Sequence, residues 1–202
     1  MAWDTEATRR KLLDAGTRQF AAHGFSGARM ETIGRDAGVN KERIYRYFGD
    51  KEAFFAAVLE RELSTMLDEI AVTTSGPDAL GEFAGQLFDR CAARPELPRL
   101  LAWESLELDH AVAVEQRRPL CADYARRLRD ALPGLDRHDA GDLLLTAITL
   151  VVGCWTLGNV AESVLPTHRA PADRRERVIT ELNALAKGLL LPDDGAAAPH
   201  PR

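Results

Sequence analysis

Apolar residues along the chain recur at spacings of three and four, and no run alternates apolar and polar with β-branched side chains. That is the period of helices burying one face, so the chain reads as all-α. Breakers fall between the periodic stretches and predict helices over 4–23, 30–37, 41–47, 51–73, 78–93, 97–109, 115–131, 138–162 and 172–190. Gly24 and Gly38 stand where left-handed caps would end the first two helices. Asn40 and Asp50 precede helix starts with side chains that accept from free amides. Pro77, Pro95 and Pro171 lie near first turns, where a missing N–H costs nothing. The pattern divides into a head at 1–52, a helical body at 53–190 and a flexible tail at 191–202. No internal repeat is visible.

Composition adds a class and a compartment. With 202 residues, 46% apolar and 28% charged, the chain has enough material for a buried core and is not a disordered or fibrous sequence. Cys91, Cys121 and Cys154 show no CxxC spacing and are odd in number, which predicts a reducing cytoplasm rather than a disulfide framework. Charges run through the N-terminal region where an export signal needs an apolar core. The net charge of −5 argues against a nucleic-acid partner until its distribution is seen: residues 1–52 hold 10 basic and 8 acidic residues, while the remainder is acidic by seven. A slightly basic head on an acidic body hints at a nucleic-acid-binding end.

The segment 143–161, LLLTAITLVVGCWTLGNVA, is uncharged and as long as a membrane span. Three Thr, one Asn and two Gly dilute it, and it lacks the Lys/Arg flank that sets orientation in a bilayer. A helix apolar all round equally suits a bundle centre or a subunit interface, and no membrane partner is expected.

The densest information lies in 24–52. Met30, Ile33 and Ala37 form one stripe, Ile44 and Phe48 another, and Leu13, Phe20 and Val39 can close a three-helix core over them. With Ile44 turned inward at about 100° per residue, Glu42 and Arg46 point nearly opposite, flanked by Arg43 and Tyr45. Spacing alone leaves two readings open. Glu42 and Arg46 form an i,i+4 ion pair on a solvated helix, or the face is a helix-turn-helix reading head whose long side chains reach base edges in the major groove. Lys51, next to the free amides opening the following helix, suits a phosphate and favours the second.

The stretch AGVNKERIYRYFGDKEAFFAAVL, preceded by GF at 24–25 and MxxI at 30–33, resembles the DNA-binding domain of the TetR family of transcriptional regulators over residues 8–58. The resemblance implies that the third helix enters the major groove, and carries DNA contacts onto Lys41, Arg43, Tyr45, Arg46, Tyr47 and Lys51, with Arg29, Thr32, Asn40 and Glu42 as further candidates beside them. Two positions depart from the family pattern. Ala28-Arg29 stands where a Thr usually opens the second helix, and Arg29 can replace the lost phosphate contact. Glu42 stands where Gly is common, and can accept from a cytosine amino group.

The resemblance also implies that the body binds a small-molecule effector and makes a homodimer through its last two helices. Leu144, Ile148, Val151 and Trp155 are the expected interface residues. A pocket is expected between the helices of 78–131, lined by Phe83, Leu87, Trp103, Leu106 and Tyr124 with Glu104, Glu107 and Cys121, and the two carboxylates favour a cationic ligand. Plain core is the competing reading for each aromatic.

No P-loop, GxGxxG or HExxH is present, GFSGA lacks a nucleophile elbow, and His23, His110, His138, His168 and His200 stand singly. No catalytic residue, metal or cofactor is expected. The sequence predicts a repressor of double-stranded operator DNA. An all-α enzyme and a protein-interaction module, each with a structural head, are the alternatives, separated from it by salt-sensitive, sequence-selective DNA binding.

Overall fold

A computed structural model of the chain describes residues 2–165 and 170–190, and among these every regular element is an α-helix. In chain order they are α1 (Ala2–Gly27), α2 (Met30–Ala37), α3 (Lys41–Phe48), α4 (Lys51–Asp68), α5 (Asp78–Ala93), α6 (Glu96–Glu107), α7 (Val114–Ala131), α8 (Arg137–Thr156), α9 (Gly158–Val164) and α10 (Pro171–Leu190). The all-α expectation holds. The tail 191–202, His168 and His200 lie outside the described residues.

Three predicted helices differ from the expectation. The helix expected over 51–73 stops at Asp68 because Ile70 turns inward and the Tyr124 hydroxyl, on α7, donates to the carbonyls of Leu67 and Ile70. The helix expected over 138–162 is two, broken at Leu157 (φ −110, ψ 34) ahead of Gly158, a residue that weakens helix continuation. The first helix continues one turn beyond His23, with a break at Gly24 (φ 74, ψ 179). A side chain at Gly24 would be strained by that φ and would also meet the Glu107 carboxylate, 2.6 Å from its Cβ position.

The head is held by aromatic packing. Phe20, Phe54 and Phe55 are fully buried, with ring centroids 5.7 Å (Phe20–Phe54) and 5.0 Å (Phe20–Phe55) apart, and Phe25 packs on Phe55 at 5.6 Å. Each such ring contributes roughly 1.5–3 kcal/mol by leaving water. Phe54 and Phe55 come from α4, so the head's packing continues past the boundary read at 52. α4 is also pinned to α1 by polar contacts: Thr17 Oγ1 donates to Glu62 Oε1 (2.9 Å), and Arg61 bridges Asp14, Thr17 and Glu62.

In the body, α5 lies against both α8 and α10. Leu143, Leu144, Ala147 and Val151 of α8 are buried, and Trp155 meets Phe88 of α5 edge-on at 4.6 Å. Asp139–Thr156 is long and apolar enough to cross a membrane, with mean hydropathy 1.3, yet one stripe of it is body core. Of the four residues expected at the interface, Leu144 and Val151 are buried in the protomer's own core and Ile148 and Trp155 lie half-buried against it, while Leu145 (62% exposed) and Leu150 point outward. A helix apolar on all sides has two usable stripes, and periodicity does not say which one the protomer keeps.

Candidate nucleic-acid interface and body cavity

The turn between α2 and α3 is set by two glycines. Gly38 takes the left-handed conformation (φ 69, ψ 31) and closes α2, and the Val39 N–H reaches back to Gly34 O at 2.8 Å. A Cβ on Gly34 would sit 2.5 Å from the Val39 carbonyl oxygen, so only glycine allows so close a turn. Asn40 caps α3, its Oδ1 accepting from Arg43 N (3.0 Å), and Asp50 caps α4 by accepting from Ala53 N (2.8 Å). The cap occupies one of the two acceptor positions of the Asn40 side-chain oxygen.

α3 is held from beneath. Ile44 is fully buried, and the half-buried Phe48 ring lies 4.5 Å from Phe54. On the opposite side Glu42, Tyr45 and Arg46 are exposed. Among the described residues Glu42 and Arg46 form no ion pair with each other or with any other group, so the solvated-pair reading does not describe this face. Arg43 lies across Tyr47, its Cζ 5.8 Å from the ring centroid and Nη2 3.5 Å from the hydroxyl, while its buried Nε has no acceptor.

The remaining candidates ring this face. Lys41 donates to Glu31 at the start of α2, and the contact raises the pKa of Lys41 and lowers that of Glu31. Arg29 is exposed ahead of α2 and makes no side-chain cap, in keeping with the missing hydroxyl there; Thr32 is half-buried. Lys51 Nζ donates to Ser26 O (3.2 Å) and sits 5.1 Å from the Phe25 ring, and this partial burial lowers its pKa. The result is a rigid short helix with an unpaired acceptor, an unpaired guanidinium and a phenol facing out, and cations at its flanks. Such a face can donate to guanine, accept from cytosine and hold phosphates.

The body contains a cavity of about 50 Å³ between α4, α5, α6, α7 and α8. Phe83, Leu87, Cys121 and Tyr124, expected as ligand contacts, line it, together with residues not singled out from sequence, among them Met66, Cys91 and Leu97. Leu144 and Ile148, expected at the dimer interface, line it as well. The other four expected contacts lie elsewhere. Leu106 is 76% exposed. Glu104 is buried as a clamp, accepting from Val112 N (2.8 Å) and Arg117 Nη1 (2.6 Å), which ties the loop after α6 to α7.

Trp103 and Glu107 face the head. Trp103 Nε1 (3.3 Å) and Arg99 Nε (2.9 Å) both donate to Ala21 O near the end of α1, and Glu107 Oε2 accepts from Ser26 N (2.7 Å). His110 Nε2 lies 3.0 Å from Glu52 Oε1 at the same junction. The first three contacts cross about 80 residues of sequence between α1 and the α6 segment, and the last crosses 58. No local spacing announces them, which is why Trp103 beside Glu104 reads as a ligand pair until the fold is known.

A model of bacterial regulatory proteins of the tetR family matches residues 12–58, and one for a Tetracyclin repressor-like C-terminal domain matches 79–183. The HTH-type transcriptional repressor SCO4008 of Streptomyces coelicolor is 38% identical over 141 residues, covering 67% of this chain and 69% of that one. The HTH-type transcriptional repressor NicS of Pseudomonas putida is 32% identical over 148 residues, 68% and 70% of the two chains. The crystal structure of transcriptional regulator SCO4942 from Streptomyces coelicolor superposes with a TM-score of 0.66 at 32% identity, covering 88% of this chain and 97% of the other.

Proposed function

Since the chain belongs to the TetR family of bacterial transcriptional regulators, DNA-binding proteins rather than enzymes, we propose that it is a cytoplasmic repressor. It binds a pseudo-palindromic operator as a homodimer and leaves it when a small molecule enters the body. The observation that carries the DNA half is the outward face of α3: Glu42, Tyr45 and Arg46 exposed, with no ion pair among the described residues, above a seam fixed by Ile44 and Phe48. A surface helix gains little stability from unpaired charge, whereas a reading helix needs it free.

The dimer uses the apolar residues that the protomer leaves uncovered, Leu145 and Leu150 on α8 with Leu185 and Leu189 on α10, two helices that touch each other. Such a pairing sets the two reading helices about one DNA turn, or a multiple of it, apart. Release follows from α6, which offers Leu97, Pro98 and Leu101 to the cavity and Arg99, Trp103 and Glu107 to the head. An effector that widens the cavity displaces α6 and with it the head, so DNA and effector oppose each other reciprocally.

The test is fluorescence anisotropy with a duplex selected from the source genome, against a scrambled duplex, at rising salt. About six phosphate contacts across the dimer give a loss of roughly a thousandfold between 50 and 200 mM salt, and the selected duplex binds far tighter than the scrambled one. Leu145→Asp with Leu150→Asp should yield a monomer by light scattering and lose that selectivity. Equal binding of both duplexes by an intact dimer would refute the repressor reading.

Glu42 has its own expected signature. Glu42→Ala should relax the preference for a C·G pair at one half-site position, by roughly 1–3 kcal/mol of discrimination, read by binding to operators substituted base by base. Unchanged preference at every position removes Glu42 from base readout.

A further inference from the structure

Among the described residues, the cavity exposes no oxygen or nitrogen surface. Its wall is carbon and sulfur surface, and the one hydroxyl there, Tyr124, is spent on the carbonyls of Leu67 and Ile70. Burial, with a smaller contribution from nearby Cys154, pushes the Cys91 thiol up to about 12, so it too is neutral. The expected cationic preference therefore has no support inside, because Glu104 is clamped by Arg117 and Glu107 is turned to the head. Whatever polar part an effector has must sit at an edge of this space.

One edge is charged. Met66, Cys91 and Leu97 border both the cavity and a smaller depression that also takes in Glu62, Glu69, Arg90 and Arg94. Glu62 is buried and engaged by Thr17 and Arg61. That leaves two guanidinium groups, Arg90 and Arg94, sharing the single carboxylate of Glu69 at 2.8 and 3.5 Å. Glu69 is itself the C-cap of α4, where the helix dipole disfavours a negative charge.

We propose that the effector is an amphiphile, with an apolar body entering the cavity past Met66, Cys91 and Leu97 and a single anionic head, carboxylate or phosphate, held by Arg90 and Arg94. The proposal rests on the effector reading above and names the chemistry of that effector. The head takes the place of Glu69 on a pair of cations with one positive charge in surplus, geometry suited to a bidentate oxyanion. The tail needs more room than about 50 Å³, far below the roughly 300 Å³ of an ordinary ligand site. Its entry therefore moves the cavity-lining Leu63, Met66 and Leu67 of α4, the helix whose other end carries Phe54 and Phe55.

The test uses the full-length dimer and three molecules of one tail length, octanoate, octan-1-ol and octylammonium, in titration calorimetry, with operator release followed in parallel. Octanoate is expected to bind roughly tenfold or more tighter than octan-1-ol, the margin of one charge-assisted contact, with octylammonium weakest. Arg90→Gln with Arg94→Gln should erase the octanoate advantage while octan-1-ol affinity stays within about twofold, since both arginines are partly exposed and their loss leaves the core intact. Leu87→Trp, filling the cavity, should weaken both ligands. Equal binding of octanoate and the alcohol, tighter binding of the ammonium, an unaltered preference in the double variant, or no binding of any probe would each overturn the proposal. Octanoate that binds as described without releasing operator would uphold the site and instead overturn the effector role assigned to it.

Discussion

Arg46→Ala should abolish discrimination between operator and random DNA while leaving the dimer, the fold and binding in the body untouched. Arg46 is exposed and has no ion-pair partner among the described residues, so truncating it changes stability by no more than about 0.5 kcal/mol. Its value lies in what it meets across the groove. A bidentate arginine–guanine contact is worth roughly 1–3 kcal/mol of discrimination, and a dimer makes it twice, so about 30-fold to 20,000-fold of specificity should go. Residual binding carried by Arg29, Lys41 and Lys51 should be weak, indifferent to sequence and steep in salt. Arg35→Ala, on the exposed side of α2, is the control. A variant that holds the operator as the parent does would show that α3 is not the reading helix.

Phe54→Ala should cost the most stability of any single change in the head. The side chain is fully buried, packs on Phe20 and Phe48, and sits over Gly16, whose Cβ position lies 2.7 Å from its ring. Removing a buried phenylalanine costs roughly 3–5 kcal/mol, and in a chain of this size that lowers the melting temperature by roughly 6–20 °C. DNA binding should fail with it, because Phe48 rests on Phe54 and orients α3. Leu106→Ala, at a side chain 76% exposed, should move the melting point by less than 2 °C under the same scan. Similar melting points for the two variants would mean that the aromatic cluster does not hold the head.

The reading head was legible because its logic is local. Gly38, Asn40, Ile44, Phe48 and Asp50 act on neighbours within about ten residues, through a turn, two caps and one stripe at helical period, and a sequence displays all of these directly, whereas the need for glycine at 34 came only from the approach of Val39. Ile44 inward with Glu42, Tyr45 and Arg46 outward follows from a single angle per residue. Arg43 departs in part, since it lies across Tyr47 rather than standing free.

The body was legible as helices and, in Phe83, Leu87, Cys121 and Tyr124, as part of the cavity wall. Its sequence states that 143–161 is apolar on every side but not which stripe the protomer buries, so Leu144 and Val151 went to the core, Ile148 and Trp155 to its edge, and Leu145 and Leu150 to the surface. Likewise Trp103 and Glu107 were visible as an aromatic and a carboxylate near each other, while their partners, Ala21 O and Ser26 N, lie some 80 residues away. By itself the sequence determined the helical class, the turn, the caps and the outward face of α3, all consequences of short-range backbone geometry. The tertiary structure alone decided which apolar stripe is core, which charges clamp the head to the body and which further residues enclose the cavity, because those outcomes depend on helices meeting across long stretches of chain, and periodicity within one helix carries no information about its neighbour.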